Sequence, residues 1–170
     1  MLSKDNKSVR PPRLKPDDTI GIVAPAGPFD QEKFMKGKTV LESMGFQTFF
    51  DEGIFQKHGF LAGTDIQRAD QVNRLFADPS VQAIACARGG YGSMRILSSL
   101  DFETIQKHPK IFLGFSDISA LLSVLYDQCG LVTFHGPVVT TLANATEKTL
   151  TALHTALTSP KALELKPKDG

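Results

Sequence analysis

The sequence predicts an α/β fold, a doubly wound and mostly parallel sheet with helices on both faces. Short β-rich runs alternate along the chain with stretches whose apolar residues recur at helical spacing, which is the pattern of successive βα units. The run at residues 81–87 is apolar on both faces, as expected for a central parallel strand. Turns containing Pro25, Gly89, Ser116 and His135 follow four of the runs. In such sheets, ligands bind at the carboxyl ends of the strands.

Five short segments are predicted as strands, because each is β-rich or continuously apolar and is bounded by turn residues or by a helical pattern. They span residues 19–24, 46–50, 81–87, 111–115 and 131–134. A Pro-Ala-Gly-Pro turn follows the first strand, and a glycine-rich turn at residues 88–92 follows the third. Strands that alternate with helices in this way are expected to pair in parallel.

Two helices carry clear stop signals, and the second also carries a start signal. The first is predicted over residues 31–44, with Gly45 as its carboxy-terminal stop. The second is predicted over residues 65–76, where Thr64 is the N-cap and Pro79 follows the end.

Further helical segments follow in the second half of the chain. We expect a helix near residues 93–100 and a short one from residue 101 that Pro109 terminates. An amphipathic helix begins just after Ser116, and a last one is expected after Thr146. Apolar positions recur at helical spacing and share one face of each helix: Ile118, Leu121, Leu122, Leu125, Tyr126 and Cys129 in the first of these two, and Leu150, Leu153 and Leu157 in the second.

Composition and charge are those of a single soluble domain. The 170 residues are 41% hydrophobic and 22% charged, and the net charge of +1 gives no support for binding nucleic acid or an anionic membrane surface. No apolar stretch reaches membrane-spanning length. We expect a flexible tail at residues 1–13, one domain at 14–158, and at 159–170 a linker toward a further domain.

Both cysteines, Cys86 and Cys129, lie in apolar patterns, one in a strand and one on a helix face. Buried free thiols are therefore expected rather than a disulfide, which fits a reducing cytoplasm.

The strand at residues 111–115 stops abruptly at Ser116, and a helix starts almost at once. Such a turn lifts one side chain above the sheet and leaves backbone N–H groups of the first helical turn unpaired beside it. The nucleophile pattern Gly-x-Ser-x-Gly is half met, because Gly114 occupies the first position and Ile118 the last. Ser116 is therefore interpreted either as a nucleophile or as a helix N-cap.

Three other features lie at the same edge. The glycine-rich turn at residues 88–92 can serve as an oxyanion hole, as a phosphate cradle or simply as a tight turn; it does not match the dinucleotide or P-loop patterns. The side chain of Asp117 is expected to cap the following helix, and its N–H could face an oxyanion. His135 is interpreted either as a base for Ser116 or as a structural hydrogen-bonding residue. No residue spacing resembles a metal site.

Five segments together resemble the serine LD-carboxypeptidase family, which includes muramoyltetrapeptide carboxypeptidases and microcin C self-immunity peptidases. They occur in order over most of the chain: LKPDDTIGIVAPA at residues 14–26, GFLAGTD at 59–65, ARGGYGS at 87–93, GFSDIS at 114–119 and FHGP at 134–137. The family often has Gly where this chain has Asp17, and Tyr where it has Phe115; neither change affects the chemistry.

The resemblance implies a class I glutamine amidotransferase-like fold and a serine peptidase that cleaves an L-to-D peptide bond. Such an enzyme releases a C-terminal D-amino acid, commonly D-Ala from murein tetrapeptides during cytoplasmic cell-wall recycling. It needs no metal or organic cofactor. A homodimer is also consistent with the resemblance.

The resemblance also implies roles for individual residues. Ser116 matches the nucleophile. The backbone N–H of Asp117, with one from Gly89 or Gly90, matches the oxyanion hole. Arg88 lies beside that turn, and its chemistry suits recognition of a substrate carboxylate.

One departure from the family is serious. The family's triad is Ser-Glu-His, and its Glu and His lie in a carboxy-terminal domain that has no counterpart in this chain. His135 matches the family's structural His-Gly-Pro, which weakens it as a base. We therefore expect an amino-terminal half that hydrolyses little or nothing alone. The alternatives are a microcin C-type immunity amidase and a non-catalytic module that binds a small ligand.

Overall fold

The computed structural model describes residues 8–161 and contains a five-stranded, fully parallel sheet. Its strands are β1 Thr19–Val23, β2 Gln47–Phe49, β3 Ala83–Cys86, β4 Ile111–Gly114 and β5 Phe134–His135. Their order across the sheet is β2-β1-β3-β4-β5. The predicted α/β fold is confirmed, and β3 is central and wholly buried as the sequence indicated.

Helices cover both faces of the sheet. They are α1 Gln31–Ser43, α2 Asp65–Ala77, α3 Phe102–Lys107, α4 Ser119–Cys129, α5 Val139–Leu142 and α6 Glu147–Thr158. Side chains from α2, α3 and α4 share one hydrophobic cluster, and those from α1, α5 and α6 share the other. Because side chains alternate along a strand, Ile84 joins the first cluster and Ala85 the second. No helix within residues 8–161 is long and apolar enough to cross a membrane.

Two predicted elements differ from the structure. The segment after the glycine-rich turn is a 3₁₀ helix, Ser93–Ser99, whose N-cap residue Gly92 offers no side chain to cap it. The fifth strand begins at Phe134 rather than at residue 131, because Leu131 forms a parallel bridge with Val9 instead.

That bridge also corrects the expectation of a flexible amino-terminal tail at Val9. The Val9 N–H donates to the Gly130 carbonyl at 2.8 Å, and the Val9 carbonyl accepts from Val132 N–H at 2.9 Å. Val9 is therefore fixed to the domain beside β5. Residues 1–7, and residues 162–170 with most of the expected linker, lie outside the described part of the chain.

Both cysteines are free and buried, as predicted. Burial raises the pKa of the Cys86 thiol and raises the pKa of the Cys129 thiol to about 11.

A glycine allows α1 to lie directly against α5. A β-carbon added at Gly37 would come within 1.8 Å of the Val139 carbonyl oxygen. In turn, both the N–H and the hydroxyl of Thr140 donate to the Ala87 carbonyl, at 3.1 and 3.0 Å. Close packing at Gly37 therefore helps to position α5 against Ala87, the residue that follows β3.

We predict that Gly37→Ala lowers the free energy of unfolding by about 3 kcal/mol or more, because a rigid backbone atom occupies the space that the methyl group needs. Urea unfolding followed by circular dichroism measures this loss. Thr39→Ala, an exposed substitution on the same helix, should change stability by about 0.5 kcal/mol or less. Equal midpoints for the two variants would contradict the packing argument.

Candidate active site

Ser116 lies at the turn between β4 and a short 3₁₀ helix, Ser116–Ile118. Its φ is +63°, and only one other non-glycine residue within 8–161, Asp17, has a positive φ. The left-handed conformation costs an L-residue about 1–2 kcal/mol. Ser116 is also exposed. A strained, exposed serine between a strand and a helix has the geometry of a nucleophile elbow.

The alternative interpretation of Ser116 as a helix N-cap is wrong. The N-cap of the 3₁₀ helix is Phe115 and that of α4 is Ile118, and neither position makes a side-chain capping bond. Across residues 8–161 the Ser116 hydroxyl has no hydrogen-bond partner. The hydroxyl is therefore available for another purpose.

Packing explains why the Gly-x-Ser-x-Gly pattern is only half met. A β-carbon added at Gly114 would come within 2.3 Å of Ile118 Cγ2. The missing side chain at Gly114 makes room for the isoleucine, so the second glycine is not needed for the helix to pack against the strand.

The glycine-rich turn lies against this elbow. A β-carbon added at Gly89 would be 2.9 Å from Ser116 Cβ and 3.4 Å from the Asp117 nitrogen. Backbone can approach the serine this closely only because residue 89 has no side chain.

Two backbone N–H groups near Ser116 have directions that are fixed by hydrogen bonds to the preceding carbonyls. In a trans peptide, the carbonyl of one residue and the N–H of the next point in opposite directions. The Gly89 carbonyl accepts from Gly27 N–H at 3.2 Å, so the Gly90 N–H points away from Gly27. The Ser116 carbonyl accepts from Ser119 N–H, so the Asp117 N–H points away from α4.

Within the described residues, neither of these N–H groups has an acceptor. Two such donors beside an exposed hydroxyl can stabilise the oxyanion that develops on a carbonyl oxygen when the hydroxyl attacks the carbonyl carbon.

The Asp117 side chain does not cap α4, contrary to the sequence prediction. Its Oδ2 accepts from Ser93 N–H at 2.8 Å, and the Ser93 hydroxyl donates to the Asp117 carbonyl at 2.6 Å. Ser93 is fully buried. This pair, the Ser93–Asp117 clamp, joins the end of the glycine-rich turn to the elbow.

A buried arginine, which sequence reasoning missed, supports the same turn. The Arg68 guanidinium, fully buried on α2, donates to the carbonyls of Pro25 and Gly92 and pairs with Asp65. Arg95 also binds Asp65, through Nε at 3.0 Å and Nη2 at 2.8 Å. Hydrogen bonds from Arg95 and Arg68 lower the pKa of the Asp65 carboxyl.

The sequence did contain a signal for Arg68. It precedes Val72 and Leu75 by four and seven positions, so it lies on the apolar face of α2, and Asp65 is three positions before it. A charged residue at such a position indicates a buried ion pair.

Arg88 and His135 lie at the same edge of the sheet. Arg88 is exposed, and its Nη1 donates to the Pro28 carbonyl at 2.6 Å. His135 is exposed at the end of β5, with its ring 5.1 Å from the Phe115 ring. No hydrogen bond joins His135 to Ser116 in residues 8–161, so the structure does not place it as a base.

The strand order places the turns after β1 and β3, the second of which is the glycine-rich turn, at the topological switch point of the sheet. β2 lies on one side of β1 and β3 lies on the other, so the chain leaves the adjacent ends of β1 and β3 in opposite directions. Open parallel sheets bind ligands at this point. Residues 8–161 contain no cluster of three or more His, Cys, Asp or Glu side chains that could hold a metal ion.

Residues 20–136 match the family of the LD-carboxypeptidase N-terminal domain. The chain belongs to this family. The resemblance inferred from the five sequence segments is thereby confirmed, and the matched region contains Ser116, the glycine-rich turn and the clamp.

Relatives from several bacteria are similar over most of the chain. The protein named probable murein peptide carboxypeptidase of Bacillus subtilis is 42% identical over 78% of this chain and 41% of its own length. The murein tetrapeptide carboxypeptidase of Pseudomonas aeruginosa is 35% identical over 74% and 41%. The microcin C7 self-immunity protein MccF of Escherichia coli is 35% identical over 71% and 36%.

Solved structures agree. A MccF-like protein from Bacillus anthracis superposes with a TM-score of 0.85 at 30% identity, over 89% of this chain and 48% of that one. A muramoyltetrapeptide carboxypeptidase from Oxalobacter formigenes gives 0.76 at 30% identity, over 84% and 48%. The chain thus spans about half the length, or less, of these proteins.

We predict that Asp117→Ala lowers the free energy of unfolding by about 1–2 kcal/mol, because Ser93 N–H loses a charged acceptor. Asp117→Asn should cost less, since its amide oxygen can still accept. Urea unfolding measures both losses.

Asp70→Ala is the matched control, because its exposed carboxylate pairs with Arg74 on the surface of α2. It should cost about 0.5 kcal/mol or less. If Asp117→Ala is no more costly than this control, the clamp does not hold the elbow.

Proposed function

We propose that this chain is the nucleophile-bearing amino-terminal part of a serine LD-carboxypeptidase. The whole enzyme hydrolyses an L-to-D peptide bond and releases a C-terminal D-amino acid, D-Ala from murein tetrapeptide in cytoplasmic cell-wall recycling. One observation carries the proposal: an exposed, strained Ser116 near two backbone N–H groups that have no acceptor within residues 8–161.

In the acylation step, Ser116 Oγ attacks the carbonyl carbon of the scissile bond and forms a tetrahedral intermediate. The N–H groups of Asp117 and Gly90 stabilise its oxyanion. The Gly89–Gly90 peptide is held by Gly27, and Asp117 by the clamp, so both donors are oriented before substrate binds. When the intermediate collapses, the C–N bond breaks, the amine nitrogen takes a proton, and water later hydrolyses the acyl-serine.

A base must accept the proton of Ser116 during the attack. In the family pattern that base is a His oriented by a Glu, both in the carboxy-terminal domain. We infer that such a domain follows the linker at residues 159–170 and completes the site over the domain at residues 14–158. Loss of triad members costs about 10⁴- to 10⁶-fold in kcat, so the present chain alone should be nearly inactive.

Arg88 supplies the remaining recognition element in this proposal. Arg88 directly precedes Gly89 in the chain, and its guanidinium suits a substrate carboxylate because its N–H groups form a planar fork. The enzyme requires no metal or organic cofactor. Its partners are the murein peptide, the carboxy-terminal domain and, in a homodimer, a second copy of the protein.

D-Ala release from a muramyl tetrapeptide, detected by mass spectrometry, tests the proposal. Three proteins are compared: this chain, the longest product of its gene, and that product with Ser116→Ala. Of these three, only the unmodified long product should release D-Ala, since it alone combines nucleophile and base. As a control, Ser123→Ala in the long product, at an exposed serine on α4, should leave the release of D-Ala unchanged.

If none of the three proteins releases D-Ala, the proposed carboxypeptidase activity is contradicted. Such a result would favour another amide substrate, such as a peptidyl nucleotide, or a binding role. Turnover by the present chain at the rate of the long product would instead show that the base lies within it.

A further inference from the structure

We infer that a cationic cavity beside the glycine-rich turn is the subsite for the terminal carboxylate of the peptide, and holds the amino acid that departs. This inference rests on the proposed carboxypeptidase function. The cavity, here called the Arg88 cavity, has a volume of about 460 Å³. It is lined by Asp30, Lys33, Arg88, Thr140, Thr141 and Asn144.

The Arg88 cavity lies at the carboxyl edge of the sheet, where its wall comes from three parts of the chain. Asp30 and Lys33 belong to the start of α1, which follows β1, and Arg88 follows β3. Thr140 belongs to α5, and its two hydrogen bonds to the Ala87 carbonyl hold that helix against the residue before Arg88. The next residue after Arg88 is Gly89, which packs against Ser116.

The cavity contains two cations and one carboxylate. The acid, Asp30, already accepts from Lys33 N–H at 2.8 Å through Oδ1 as the N-cap of α1. Arg88 is held at one end, where Nη1 donates to the Pro28 carbonyl, and its remaining N–H groups have no acceptor in the described part of the chain. An anchored guanidinium is preorganised to bind a carboxylate through two hydrogen bonds.

Other cations near the elbow are already committed. Arg68 and Arg95 both bind Asp65, one buried beneath the glycine-rich turn and the other at the surface. Among residues 8–161, Arg88 and Lys33 form no ion pair. Lys148 lines a separate and more apolar groove beside His135. Arg88, whose neighbour Gly89 packs against Ser116, therefore remains available for an anion, with Lys33 in the same cavity.

The chemistry of a carboxypeptidase requires such a group. The C-terminal amino acid is the leaving group, and its α-carbon bears both the nitrogen of the scissile bond and the free carboxylate. An enzyme that accepts only terminal residues must bind this charge close to its nucleophile. After the C–N bond breaks, the product is a zwitterion, and the second oxygen of Asp30 in the same cavity suits its ammonium group.

Steady-state kinetics of the long gene product test the subsite, with murein tetrapeptide and its C-terminal carboxamide as paired substrates. Arg88→Met should raise KM for the acid by about 10- to 100-fold and leave KM for the amide unchanged, because only the acid loses a charged hydrogen-bond partner. Arg88→Lys should be intermediate, since it keeps the charge and loses the fork. Lys33→Met together with Arg88→Met should abolish the preference for the acid.

Lys36→Met, on the same helix as Lys33 and paired with Glu32, is the matched control and should keep the preference. Lys148→Met tests the neighbouring groove. Persistence of the acid preference in the double variant, or its loss in Lys148→Met, would overturn the inference.

A binding measurement separates this inference from the proposed function. The present chain, labelled with ¹⁵N, is titrated with N-acetyl-D-alanine and with N-acetyl-D-alaninamide. The acid alone should give saturable shifts at the amides of residues 88–90 and 140–144, and Arg88→Met should remove them while the spectrum remains dispersed.

If the present chain binds N-acetyl-D-alanine saturably but the long gene product releases no D-Ala, the carboxylate subsite is supported and the carboxypeptidase activity is refuted. Absence of saturable shifts in the unmodified chain would refute the subsite, even if the long product hydrolyses murein peptide.

Discussion

The backbone of Ser116 is held in a left-handed conformation, and the surrounding structure is arranged to keep it there. A non-glycine residue in that conformation costs about 1–2 kcal/mol and persists only where its neighbours determine it. Gly114 makes room for Ile118 on one side, and Gly89 lets the glycine-rich turn press against the serine on the other. The Ser93–Asp117 clamp then fixes the following residue. Exposure of the hydroxyl is thus a result of packing around it.

Arg68 performs a comparable role beneath the turns. Its buried guanidinium binds two backbone carbonyls and Asp65, while its Nε has no partner within the described chain. Burying a charge is costly unless it is paired and hydrogen-bonded, and a hydrophobic residue would fill the same space at less cost. What an apolar side chain could not supply is the set of donors that orients Pro25 and Gly92. The second helix therefore contributes to the geometry of the site as well as to the core.

Local signals in the sequence predicted most of the fold and part of the site. The parallel sheet, the capped helices α1 and α2, and the turn at Ser116 all follow from patterns within a few residues. Features that depend on distant partners were not predicted. Asp117 binds Ser93, 24 positions away, and β5 begins late because Leu131 pairs with Val9. Short-range patterns favoured a helix cap and an earlier strand, and tertiary contacts overrode both.

Both outer strands of the sheet are very short, which has a consequence for solubility. β2 has three residues and β5 has two, so each presents few unpaired backbone groups to another molecule. Long exposed edges are templates for intermolecular strand pairing and aggregation. At the β5 edge, Val9 also occupies the neighbouring backbone groups of Gly130 and Val132. Each edge of the sheet therefore has few free backbone N–H and carbonyl groups with which a strand of another molecule could pair. The short edge strands thus protect the sheet from edge-to-edge aggregation.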